Sequence, residues 1–316
     1  MEKPKIVVSK CLGFAKCRYN AQTIPDDFVA SLKEYVEYTT VCPEVEIGLG
    51  VPREPIRLIL ENEKLELYQP ATENLYTDEM ERYSIEKLEE IGDVDGFILK
   101  GRSPSCGIKD VKIYNGRGKA PNIGKAVGVF AKHVIEKYPH LAIEEEGRLT
   151  NLKIREHFLT KLYTMMNFKK VMASNSMAEL VKFHSNNKYL LTAYSQTYLK
   201  KLGKIVANHE RHSFDNLIEE YRENLGLALE NEPKHTNYIN SFMHMFGYFS
   251  ESLTSKEKEF VLDSFEKYRE DKLPLSVPVN MLKSYVLRYE KDYLLDQSIW
   301  SPFPEQLLDI SDSGNK

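Results

Sequence analysis

The chain has four cysteines in 316 residues, Cys11, Cys17, Cys42 and Cys106. Three of them follow strand-like runs into turns, two apolar and one β-rich: Ile6-Val-Val-Ser-Lys-Cys11, Gly96-Phe-Ile-Leu-Lys-Gly-Arg-Ser103-Pro-Ser-Cys106-Gly107, and Glu37-Tyr-Thr-Thr-Val-Cys42-Pro-Glu44. A lone cysteine is most often a small buried hydrophobe. Three cysteines in turns flanked by Pro, Gly and Ser are better placed to bind something. The β-rich run also sets a carboxylate, Glu44, two residues from a thiol. Structural zinc wants four closed ligands and usually brings a Cys-x-x-Cys pair. Cys11 and Cys17 are too loosely spaced for that knuckle, although a site using all four cysteines stays open. Iron–sulfur clusters accept thiolates from distant loops. A cubane held by only three would leave one iron as a Lewis acid with affinity for sulfur.

Such loops need strands behind them. Pro43 cannot donate a backbone hydrogen bond and restricts Cys42, so the run 37–41 is expected to stop there as a short buried strand. The thiol then lies at the carboxyl end of a strand, the edge where open α/β sheets bind ligands. Strands are expected at 5–9 and 95–100 as well, a hairpin over 57–68 turning at Asn62-Glu63, and helices over 25–36, 77–91 and 123–137. Thr77 is read as an N-cap, and Gly92 falls just past that helix. The stretch Ile47-Gly-Leu-Gly-Val-Pro-Arg-Glu-Pro55 matches neither the dinucleotide fingerprint nor the Walker pattern, and reads as a loop that lets backbone approach a ligand. Alternation of strand and helix up to about residue 145 predicts an α/β domain, a Rossmann-like layered sheet, over 1–147. Helical periodicity then predicts an all-α domain over 148–316. Its segments fall near 152–173, 176–186, 188–208, 213–229, 235–249, 254–271 and 278–296, with Ser176, Ser213 and Thr254 as N-caps.

The composition, 42% hydrophobic and 28% charged, suits ordinary globular domains with real cores. No apolar run approaches a membrane span and the start shows no signal-peptide pattern, so a cytoplasmic protein with reduced thiols and no membrane partner is expected. The net charge of −4 hides an asymmetry: residues 153–212 hold 11 Lys+Arg against 3 Asp+Glu, and residues 213–271 hold 6 against 13. The basic segment carries Lys182, His184, Lys188, Lys200, Lys201, Lys204 and Arg211, with Tyr189, Tyr194 and Tyr198 interleaved. Lysines there would meet phosphates and aromatic faces could stack on bases, although most aromatics in such helices are core. Charge alone does not separate an anionic partner from two helical regions that offset each other. His184, His209 and His212 form no metal-like pattern.

In order and spacing, Ser9-Lys-Cys11-Leu-Gly, Cys17-Arg-Tyr-Asn, Cys42-Pro-Glu44 and Ser103-Pro-Ser-Cys106-Gly resemble the thiouracil desulfurase (TudS) family, over roughly residues 5–145. Residues 150–310 resemble the helical domain of formerly unknown function often fused behind it. The stretches that carry this begin at Leu180, Leu202 and Gln297, the last reading Gln297-Ser-Ile-Trp-Ser-Pro-Phe-Pro. The pairing is similar to the RudS proteins, which remove sulfur from 4-thiouridine in transfer RNA. The resemblance implies that Cys11, Cys42 and Cys106 hold a 4Fe-4S cluster, that Glu44 is the catalytic carboxylate and that Ser103 is the catalytic serine. It implies non-redox exchange of a ring sulfur for oxygen with release of hydrosulfide. Arg18 and Arg102 would meet phosphate or a ring carbonyl, or pair with acids. Lys182, Lys188, Lys200 and Lys201 would contact tRNA containing 4-thiouridine; a small thiolated pyrimidine is the alternative substrate. A rival of another class is an RNA-binding protein with a structural metal. Cys17 falls where many relatives have another residue and is not counted among the ligands, with a spare or fourth ligand as the alternative; its role is left open, as is the oligomeric state.

Overall fold

The runs of branched and apolar residues form the first sheet of the computed structural model, which describes residues 2–308. Strands β1 (Lys5–Ser9), β2 (Glu37–Val41), β6 (Gly96–Leu99) and β9 (Ala142–Glu145) lie in the order β2-β1-β6-β9, all parallel. Ile6, Val7, Val8, Phe97, Ile98 and Leu99 are fully buried, as a parallel sheet covered on both faces requires. Register holds the strand ends level: Ser9 pairs with Val41, Val8 with Ile98 and Leu99 with Glu145.

A second, five-stranded sheet runs β5-β4-β3-β7-β8. It contains β3 (Arg57–Glu61), β4 (Lys64–Gln69), β5 (Asn74–Leu75), β7 (Val111–Tyr114) and β8 (Asn122–Ala126). The β3–β4 hairpin turns at Asn62 and Glu63, whose φ values of 51° and 63° supply the left-handed pair that a tight two-residue turn needs. The remainder of this sheet was not expected from the pattern. Residues 123–126, read as the start of a helix, are strand, and the helix α4 begins only at Val129 and runs to Lys137. Asn122-Ile-Gly-Lys-Ala alternates too briefly to separate strand from helix, and pairing with β7 decides it.

The other helices of this part are α1 (Asp27–Ser31), α2 (Pro43–Glu46) and α3 (Thr77–Ile91). The first is shorter than the spacing suggested, giving way to a 3-10 turn at Leu32–Glu34. Thr77 is not the N-cap of α3: Tyr76 occupies that position, while the Thr77 hydroxyl accepts from Leu67 N at 2.8 Å and donates to Glu66. Gly92 closes the helix at φ 63°. Val7, Phe97 and Leu99 of the first sheet, Leu58, Leu67 and Val111 of the second, and Met80, Leu88, Phe130 and Val134 of α3 and α4 share one core.

From Leu152 to the end of the described residues the chain is helical, with short 3-10 turns and no strand. The helices are α5 (Leu152–Ser174), α6 (Met177–Asn186), α7 (Lys188–Tyr194), α8 (Gln196–Ala207), α9 (Phe214–Ala228), α10 (His235–Phe246), α11 (Ser255–Arg269), α12 (Ser276–Arg288) and α13 (Asp292–Leu295). Ser176 caps α6, and Thr254 caps α11 in a full capping box with Glu257. Ser213 stands at the N-cap of α9 without a side-chain bond. The stretch 188–208 is two helices rather than one, because Ser195 takes an extended conformation and caps α8 through Tyr198 N. The stretch 278–296 breaks after Tyr289, where Glu290 has φ 48°. The chain divides into two compact units, with Tyr163–Glu305 as the second, so the division falls within α5. The core of the second unit gathers Phe168, Tyr221, Phe242, Phe249, Phe265 and Trp300. Among the described residues no helix is long and apolar enough to cross a membrane.

Candidate active site at the strand ends

All four strands of the parallel sheet deliver residues to one rim. β1 ends at Ser9 and turns through Cys11; β2 ends at Val41 and hands Cys42 to the N-cap of α2; β6 opens into the loop Lys100–Cys106; β9 ends at Glu145, with Glu146 just past it. A cavity of about 360 Å³ is lined by Cys11, Cys17, Cys42 and Cys106 together with Glu44, Ser103, Arg18 and Arg102. The sequence-derived ligands and catalytic pair, separated by up to 95 positions, are thus brought together. Pro43 ends β2 and is also the first residue of α2, which turns Glu44 to the same side as Cys42. Glu46, one turn on, accepts from Cys42 N at 3.0 Å and from the Tyr83 hydroxyl at 2.9 Å, which fixes the thiol-bearing turn.

Glu44 is held on both oxygens. Arg53 donates to Oε2 through Nε at 3.0 Å and Nη2 at 2.5 Å, a forked pair with both side chains largely removed from water. Ser105 donates to Oε1 at 2.7 Å and Ser103 at 3.2 Å. Ser103 Oγ lies 3.0 Å from Ser105 Oγ and accepts from Cys106 N at 3.2 Å, so one hydroxyl ties the carboxylate to the cysteine turn. Arg53 and Ser105 were not picked out from the sequence. Ser105 lies inside a quoted motif. Arg53 comes from the Gly/Pro-rich loop, whose weaker reading, a loop approaching a ligand, is the only signal it had.

The Cys106 loop is clamped from β9, by two carboxylates that sequence reasoning also passed over. Glu145 accepts from Ile108 N at 2.8 Å and Lys109 N at 3.3 Å; Glu146 accepts from Gly101 N at 2.7 Å and pairs with Lys100. The acidic run Glu144-Glu-Glu146 at the end of the α/β part was the available hint. The N-terminus of α4 packs closely beneath: a Cβ on Gly128 would stand 2.6 Å from Ser105 O.

Burial pushes the Cys11 thiol up to about 12, with Cys17 adding to it and Lys100 opposing. Burial likewise carries Cys42 to about 12, aided by Cys17 and Glu44, and raises Cys106. Such thiols keep their protons despite the neighbouring Lys100; a metal centre supplies further opposing charge and releases those protons on binding. Among the described residues no group of three or more His, Cys, Asp or Glu side chains could hold a metal ion. The four thiols that line the cavity are a soft donor set, which fits thiolate-bound metal chemistry, an iron–sulfur centre included.

The basic residues of the helical unit are separate features. Lys182 lines a polar cavity of about 350 Å³ with Lys170, Asn186, Ser298 and Ser301. Lys188 is exposed, its Nζ 5.5 Å and 5.8 Å from the ring centres of Tyr189 and Tyr293. Lys200 and Lys201 are exposed on α8, and Lys201 Nζ lies 4.7 Å from the Tyr198 ring centre. Tyr189 and Tyr194 are buried at 3% and 7% exposure, so they belong to the core and not to a base-stacking face. His184 is half-buried, its Nδ1 3.0 Å from the hydroxyl of the core residue Tyr221, with burial and then Lys188 depressing its proton affinity.

The family described as 2-thiouracil desulfurase matches residues 6–146, and the family described as a protein of unknown function, DUF1722, matches residues 188–304. The uncharacterized protein YbbK of Bacillus subtilis (strain 168) is 32% identical over 119 residues, 35% of this chain and 77% of its own length. The uncharacterized protein YbgA of Escherichia coli (strain K12) is 28% identical over 136 residues, 43% of this chain and 80% of its own. The solved structure titled [4Fe-4S]-dependent thiouracil desulfidase TudS shares 26% identity, covering 46% of this chain and 93% of that one, with a TM-score of 0.36. The family match and the YbbK relative place the chain: it belongs to the 2-thiouracil desulfurase family through its N-terminal domain, and carries a DUF1722 domain behind it.

Proposed function

We propose that this protein removes sulfur from a thiolated uracil ring, most naturally 4-thiouridine in tRNA, leaving oxygen in its place and releasing hydrosulfide. Cys11, Cys42 and Cys106 would hold a 4Fe-4S cluster. The observation that carries the reading is the convergence of three strand-end thiols with an Arg53-held Glu44 in one cavity. When bound, a cluster on three protein thiolates supplies an iron with Lewis acidity and affinity for sulfur.

The chain's own residues supply the rest. Arg53 fixes Glu44 Oε2, so proton transfer falls to Oε1, the oxygen that faces the two serine hydroxyls. Glu44 takes a proton from the attacking water at Oε1, and Ser105 and Ser103 offer a two-hydroxyl path by which a proton moves along the rim. Arg18 and Arg102 line the same cavity, and their guanidinium groups suit a ring carbonyl or a phosphate. At about 360 Å³ the cavity is of the size that admits a pyrimidine.

The basic stretch 153–212 and its exposed Lys182, Lys188, Lys200 and Lys201 support RNA as the carrier of that ring. Anaerobically purified protein should contain about four irons with matching labile sulfide per chain. Incubation with 4-thiouridine-containing tRNA should bleach the thiouridine absorbance and release sulfide. Turnover of free 2-thiouracil with no action on tRNA would move the substrate to the free base. Zinc in place of iron would replace the enzyme with a structural metal protein.

A further inference from the structure

Three of the four cysteines would hold the cluster, and the fourth, Cys17, is left without a task. Cys17 is 6% exposed and lines the same cavity as the other three, so every cysteine in the chain faces one space. Its loop is held in place: Cys17 N donates to Ala15 O at 2.9 Å, and its carbonyl accepts from Arg53 Nη1 at 2.9 Å and from Cys42 Sγ at 3.7 Å. The turns that carry Cys17 and Cys42 thus meet directly at this cavity. Arg53 therefore grips the Cys17 backbone and the Glu44 carboxylate with one guanidinium. A packing cysteine has no need of such company.

We propose that Cys17 is a reserve ligand, its thiolate closing the iron vertex left free by Cys11, Cys42 and Cys106 in the resting protein and yielding that vertex to the sulfur of the substrate. The inference rests on the cluster reading given above. The exchange is balanced without redox chemistry: the iron–Cys17 sulfur bond breaks, an iron–substrate sulfur bond forms, and the released thiolate takes a proton from water. A role for Cys17 as acceptor of the extracted sulfur is not equivalent. Joining hydrosulfide to a thiol as a persulfide removes two electrons, whereas exchange of ring sulfur for oxygen with ligand displacement is redox-neutral. A reserve ligand would shield the reactive iron from oxidants between turnovers, with the cost that substrate must compete for it.

The test uses full-length protein loaded anaerobically, as wild type, Cys17→Ser and Cys17→Ala, titrated with ferricyanide. Iron content and the electron paramagnetic signal of a three-iron cluster are the readouts. An iron without a protein thiolate is the first to be lost, so both variants should form the three-iron cluster about tenfold faster than wild type, in line with the 10–100-fold that partners outside the ligand shell already confer. Cys17→Ser keeps the side-chain volume, so its agreement with Cys17→Ala separates lost ligation from loosened packing. Excess 2-thiouracil should change the spectrum of the reduced wild-type cluster and bring it to that of the variants treated alike. Equal iron loss in all three proteins overturns the reserve ligand and leaves the cluster standing. Variants that take up no cluster make Cys17 an obligate ligand and overturn its displacement. Wild type without iron and sulfide overturns both readings together.

Discussion

Glu44 and Arg53 make a chemically complete unit: one carboxylate oxygen is held by the guanidinium, the other is bonded to two hydroxyls. Glu44→Gln keeps the shape and removes the proton acceptor. Turnover of thiolated uracil should fall by about 10²–10⁴-fold while iron content and the visible spectrum stay at wild-type values; unchanged turnover would take the proton role from Glu44. Arg53→Met leaves the carboxylate unpaired at 14% exposure, and stability should fall by about 3 kcal/mol or more in urea titrations. Replacing Cys11, Cys42 or Cys106 by Ser should abolish cluster loading and turnover together, and full iron occupancy after any one change would remove that residue from the ligand set. Cys42 and Glu44 were legible because they are two apart beside a strand-breaking proline. Arg53 was not, because a partner nine residues away through an irregular loop leaves no periodic trace.

At the level of elements, the loop after β6 is shaped mainly by what presses on it. Arg102 takes φ 60°, Gly107 would carry a Cβ 2.5 Å from a Val111 methyl, and Gly128 would carry one 2.6 Å from Ser105 O. Gly128→Ala should force the Ser105–Cys106 turn outward, with about 1–3 kcal/mol of lost stability and reduced iron loading in the same preparation. Glu145 clamps the loop from β9. Burial raises its proton affinity above the ordinary carboxylate range, partly offset by the Ile108 and Lys109 amides, with Glu146 and Glu144 adding to the rise. The folded state thus binds the Glu145 proton more tightly than the unfolded chain. Its contribution is full below the ordinary carboxylate range and is lost as pH climbs through the raised folded value. Glu145→Gln should flatten that part of the stability–pH curve in urea titrations, whereas Glu145→Ala should destabilise at every pH by leaving two amides unbonded, about 1–3 kcal/mol. Strands β1 and β6 were readable as buried apolar runs, whereas β2, expected as a short buried strand, lies at the sheet edge and fully buries only Val41. The short β7, β8 and β9 were not readable, since four or five residues of mixed character become strand only through the pairing that surrounds them.

Across the whole molecule, the two families matched over residues 6–146 and 188–304 sit on a chain whose charge is equally segmented, +8 over residues 153–212 and −7 over 213–271. The helical segments were legible through their caps and spacing, and the break at Ser195 escaped because apolar residues continue at helical intervals across it. That break starts α8, which buries Leu202 and Ile205 and leaves Lys200 and Lys201 in water. Both lysines are exposed, Lys201 against the Tyr198 ring of its own helix, so reversing them tests the RNA reading without touching the buried residues of α8. Lys200→Glu with Lys201→Glu should weaken binding of 4-thiouridine tRNA and make its logarithmic salt dependence shallower by about one for each lost phosphate contact. Iron content and turnover of free 2-thiouracil should not change, because those belong to the cavity lined by the cysteines. Equal tRNA affinity and equal salt slope in the variant would place the RNA-binding face away from α8. Loss of free-base turnover would instead show that these lysines serve the fold.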